Sequence, residues 1–131
     1  MSDPKPASGG GVHASIKPLV EALRTSAVFV ELRAAPPSGD YLEGVLLRQE
    51  MERCLAQLCA ALGPPVKEFG RNAKFDRPTQ KIVEALGGIR IDQCLFLAPE
   101  DTGCLVYAAF WPWASDPNRV TLKVGVHALH E

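Results

Sequence analysis

Two stretches near the carboxyl end, Arg90–Ala98 and Cys104–Trp111, alternate as strands do and yet are apolar on both faces. No other feature constrains the fold as tightly. Joined by the turn sequence Pro99-Glu100-Asp101-Thr102-Gly103, they predict a hairpin. With Ala98 opposite Cys104, one face carries Cys94, Phe96, Val106, Ala108 and Phe110, and the other Leu95, Leu97, Leu105, Tyr107 and Trp111. Each large side chain contributes ~1.5–3 kcal/mol on leaving water, so both faces need a cover: either the chain's own helices on both sides, in a three-layer monomer, or helices on one side and a partner on the other. A further strand, Arg119–Ala128, follows the turn at Ser115-Asp116-Pro117-Asn118 and completes a meander. It is one-sided, with Val120, Leu122, Val124 and Val126 opposed by Arg119, Thr121, Lys123 and His127.

Upstream the pattern is mixed. Ile16, Leu19, Val20 and Leu23 lie at helical spacing behind a Ser15 cap, with Pro18 in the first turn. From Ala27 the period becomes two, which predicts a half-buried strand with Val28, Val30 and Leu32 inward and Phe29, Glu31 and Arg33 outward. Asp40-Tyr41-Leu42-Glu43 has the spacing of a capping box. A helix of about 20 residues, ~30 Å long, is expected to start there, bury Leu47, Met51, Cys54, Leu55, Leu58 and Leu62, and stop at Gly63-Pro64-Pro65. Val66–Phe69 is a short strand candidate, and Gly70–Phe75 reads as a loop. Asp76, Pro78, the stripe Ile82, Val83 and Leu86, and Gly87-Gly88 outline a last short helix. The expected fold is therefore α+β, with a mixed or antiparallel sheet of about five strands ending in the three-strand meander, packed by one long and two short helices.

Residues 1–12, rich in Pro and Gly, are expected to be a disordered tail, and 13–131 a single domain. With 47% apolar residues in 131, the chain is not disordered as a whole. No run approaches the ~20 apolar residues of a bilayer span, and no secretory signal is seen, so a cytoplasmic setting without membrane contact is expected. Cys54, Cys59, Cys94 and Cys104 are then expected to be free thiols.

No catalytic or cofactor motif is present. Gly9-Gly10-Gly11 lies in the tail and Gly87-Gly88 follows a helix, so neither cradles phosphate at a helix start. Cys54 and Cys59 fall about 140° apart on a helix, and His127 and His130 on opposite faces of a strand, so no metal site is expected. The one basic cluster is Lys67, Arg71, Lys74, Arg77 and Lys81, which with Glu68 and Asp76 carries +3 in a chain of net charge −1. Phe69 and Phe75 sit among these cations, a combination that can grip phosphates and stack on bases. The order strand, basic loop, helix is loosely similar to the layout of the archaeal Alba chromatin proteins over about half the chain. The third carboxyl-terminal strand and the missing basic hairpin depart from that pattern, and no family is assigned.

Two readings follow. The first is a non-enzymatic interaction, adaptor or assembly module that self-associates or docks to a protein partner through the sheet, with Leu95, Leu97, Leu105, Tyr107, Trp111 and Trp113 as the contact residues. The alternative is nucleic-acid or phosphate-ligand binding through 67–81. Neither requires a cofactor.

Overall fold

A computed structural model describes residues 16–71, 75–99 and 104–128. The expected tail 1–12, the Ser15 cap, Lys74, the residues 100–103 of the hairpin turn, and His130 lie outside the described residues. In chain order the elements are α1 (Ile16–Ser26), β1 (Phe29–Ala34), β2 (Leu42–Leu47), α2 (Arg48–Leu62), α3 (Arg77–Ala85), β3 (Cys94–Pro99), β4 (Cys104–Pro112) and β5 (Arg119–Ala128). The strands form one antiparallel sheet in the order β1-β2-β5-β4-β3. The expected α+β architecture is present, with five strands and three helices among the described residues.

The hairpin pairs Ala98 with Val106, two positions from the expected register. Because side chains alternate with period two, every residue keeps its expected face. Cys94, Phe96, Val106, Ala108 and Phe110 join Leu42, Leu46, Val120, Leu122 and Val124 beneath α1 and α2. The aromatic centre of this core is Phe110, whose ring centroid lies 6.5 Å from that of Phe96 and 6.0 Å from that of Phe69. On the opposite face Val83 of α3 packs with Leu95 and Ala109, fringed by Phe75, Leu86, Ile89, Leu97 and Trp111. α3 is held by the Asp76 carboxylate, which accepts from the Thr79 N–H at 2.9 Å, with Pro78 in the first turn.

Three expectations are corrected. The segment expected to begin the long helix is strand β2, and helix α2 starts only at Arg48. Asp40 and Glu43 do not cap: Asp40 accepts from the Ser38 hydroxyl at 2.6 Å and Glu43 from the Tyr41 hydroxyl at 2.8 Å. β2 is paired along its whole length to β5 and over Glu43, Gly44, Val45 and Leu46 to β1, and these tertiary bonds override the local helical signal. The first turn of α2 is instead tied to the β4–β5 turn, Arg48 N–H donating to Asn118 O at 2.8 Å and Arg48 Nε to Pro117 O at 2.6 Å.

The second correction concerns β1. Phe29 packs on the core while Val28, Val30 and Leu32 are exposed, the reverse of the expected inward set. Register shifts between Phe29 and Glu31 and between Leu32 and Ala34 break the simple alternation. Gly44 opens the space that Phe29 fills, since a Cβ there would lie 2.5 Å from Phe29 Cδ1. The third is the expected strand 66–69, which is reduced to one bridge, Lys67 with Leu95.

Candidate functional site

The meander face expected to meet a partner is largely covered by the chain itself. Leu95 is 3% exposed beneath α3, and Leu97, Leu105, Tyr107, Trp111 and Trp113 are half-buried. Tyr107 lies over Gly125, where a Cβ would stand 2.7 Å from the tyrosine Oη. Trp113, just past β4, donates from Nε1 to Thr121 Oγ1 at 2.8 Å. The Arg33 and Arg119 guanidinium carbons lie 5.6 and 6.0 Å from its ring centroid. Lys123 Nζ stands 4.1 Å from the centroid of Trp111. Trp111 fringes the cluster beneath α3, and both tryptophan rings have cationic heads over them.

Among the described residues the basic segment does not converge. Lys67, 3% exposed, donates its ammonium to Ile91 O at 2.5 Å and Gln93 O at 2.6 Å, so its charge holds the loop before β3. Burial pulls the pKa of this amine below its ordinary value. Arg71 pairs with Glu68 at 3.4 Å. Arg77 and Lys81 are exposed along α3. The segment therefore presents scattered surface cations rather than a cleft.

Of the six exposed large apolar residues among those described, Leu47, Val66 and Ile91 are 36%, 40% and 52% exposed, and the other three lie close together in the chain. Val28, Val30 and Leu32 are 61%, 47% and 45% exposed, on or next to β1, which has a strand neighbour on one side only. The other edge strand, β3, is partly sealed by residues 66–67, with Val66 N–H donating to Leu95 O at 2.9 Å and Leu95 N–H to Lys67 O at 3.0 Å. Between the exposed apolar residues Glu31 and Arg33 form an ion pair at 3.3 Å.

The chain matches no protein-family model, no curated protein and no solved structure. Its function must be read from its own geometry. No helix among the described residues is long and apolar enough to cross a membrane. Cys54 and Cys94 are buried, and loss of hydration pushes their thiols up to about 11 and about 12, which keeps both protonated and weakly nucleophilic.

Sequence reasoning missed two features. One is the open edge of β1, where the Val28, Val30 and Leu32 face expected to be buried is exposed. The other is a cavity of about 80 Å³ between the sheet and the end of α3, bordered by Tyr41, Tyr107, Trp111 and Lys123. Tyr41 belongs to the segment taken for a helix start, and Lys123 to a face expected to meet solvent, so nothing local drew them together.

Proposed function

We propose that the chain is a non-enzymatic assembly module that pairs with a second copy of itself along the outer edge of β1. The observation that carries this reading is a run of exposed apolar side chains, Val28, Val30 and Leu32, on and beside an edge strand whose outer side has no strand neighbour among the described residues. An edge strand offers unpaired N–H and C=O groups, and apolar residues beside them are a template for another strand.

The charge pattern supports a second copy as the occupant. In an antiparallel pair centred on Leu32, Glu31 of each copy lies opposite Arg33 of the other, and Leu32 opposite Leu32. A register centred one residue earlier would set Glu31 against Glu31. The two register shifts within β1 limit the regular ladder, so the contact is small and its formation concentration-dependent.

Light scattering across a concentration series is the test. The full chain is expected to dimerise, Glu31→Arg to weaken the dimer by setting like charges face to face, and E31R/R33E to restore it. A wild-type chain that stays monomeric at every concentration overturns the reading. So does a double exchange no better than the single one while circular dichroism shows both folded.

A further inference from the structure

We propose that the cavity beneath the end of α3 is a binding site for a short-chain aliphatic carboxylate, with Lys123 as the counter-ion. The inference is independent of pairing along β1.

The cavity measures about 80 Å³, and its apolar wall is made by Val83 and Leu86 from one side and Leu95 and Ala109 from the sheet. An apolar cavity of about 150 Å³ accepts benzene, so this one suits roughly three or four carbon-sized groups. Its polar rim is made of donors. Lys123 has no ion-pair partner among the described residues; its ammonium rests on the Trp111 ring, 4.1 Å from the centroid. Glu43 is its register partner on β2; that carboxylate accepts from the Tyr41 hydroxyl at 2.8 Å and makes no ion pair with Lys123. Trp111 Nε1–H is buried and has no acceptor among the described residues. Buried N–H groups are rarely left so, and each unmet one costs free energy. Tyr107 adds a phenol donor.

This donor set identifies the ligand. A carboxylate brings the negative charge that Lys123 lacks and acceptor oxygens for the hydroxyl and indole donors, while a short alkyl tail occupies the space against Val83 and Leu86. An amine repels Lys123, and an alcohol of equal length brings no charge. A phosphate or a dicarboxylate would put a second charge against an apolar wall, which is costly.

The experiment is a titration of the full chain with sodium butyrate, followed by the indole N–H resonances, with that of Trp111 assigned by its loss in Trp111→Phe. Sodium chloride, butan-1-ol and butylammonium chloride are run in parallel. Butyrate is expected to shift the Trp111 N–H saturably and to raise the unfolding temperature; the other three are expected to do neither. Lys123→Met is expected to weaken butyrate by about tenfold or more, and Lys123→Arg to retain most of the affinity. A non-saturable response to butyrate overturns the proposal, as does butan-1-ol binding equally well or butyrate binding undiminished by folded Lys123→Met. Should Lys123→Met not fold, the alcohol and amine titrations of the wild-type chain still decide.

Discussion

Replacing Gly44 by alanine tests the packing that sets the course of β1. A Cβ at this position would lie 2.5 Å from Phe29 Cδ1, 2.7 Å from Cε1 and 3.2 Å from the Glu31 carbonyl oxygen. Carbon atoms in contact rest at ~3.5–4.0 Å, so the ring must retreat by about 1 Å or leave. Overpacking of this kind costs ~1–3 kcal/mol, and the reduced freedom of the unfolded chain returns about 0.4–1 kcal/mol. The net expectation for Gly44→Ala is a loss of roughly 1–2 kcal/mol, or a fall of about 4–8 °C in unfolding temperature at ~4 °C per kcal/mol. Because most of the penalty arises from the Phe29 ring, it is expected to shrink in a Phe29→Ala background to the strain of the 3.2 Å approach to Glu31 O. A double-mutant cycle read by urea denaturation and calorimetry measures this, with an expected coupling of ~1–2 kcal/mol. Equal effects of Gly44→Ala in both backgrounds would refute the reasoning. The same variant displaces the strand that carries the proposed contact, so its dimer should weaken beyond what the stability loss alone explains.

Two further predictions rest on buried polar groups. Lys67→Met removes the donor to Ile91 O and Gln93 O and is expected to lower stability by ~1–3 kcal/mol; an unchanged urea midpoint would show that the ammonium does not hold this loop. Alkaline pH is expected to destabilise the fold. The Cys54 and Cys94 thiols, ordinarily near 9.0, are raised by burial to about 11 and about 12. Between these limits the folded chain binds more protons than the unfolded one, so stability falls as pH rises above about 9. Burial of Tyr41 and Tyr107 acts in the same direction, while the lowered pKa of Lys67 opposes it nearer 10.5. Urea midpoints measured across this range, with Cys94→Ala expected to flatten the decline, check the sign; a midpoint that holds steady or rises would contradict it.

The meander was legible because its signal is redundant. With apolar residues on both faces of β3 and β4, a register error of two positions moved no side chain to the wrong layer. Segment 40–47 had no such redundancy. Its Asp40 and Glu43 have the spacing of a helix cap, yet both carboxylates are satisfied by hydroxyls within two residues, and the backbone they were expected to cap is claimed by β1 and β5. That claim depends on Val120–Val124, far along the chain, and no local window contains it. β1 was misread for a related reason: its inward residue is decided by the missing side chain of Gly44 on another strand.

Both proposals arise where the local reading failed. Once 42–47 is a strand, β1 becomes an edge, with its valines and leucine exposed, rather than a strand beside a helix. The same insertion brings Glu43 beside Lys123 and Tyr41 to the cavity. Tyr41 hydrogen-bonds the Glu43 carboxylate, which makes no ion pair with Lys123. The open edge and the surroundings of Lys123 are thus two consequences of one strand, β2, taking its place between β1 and β5.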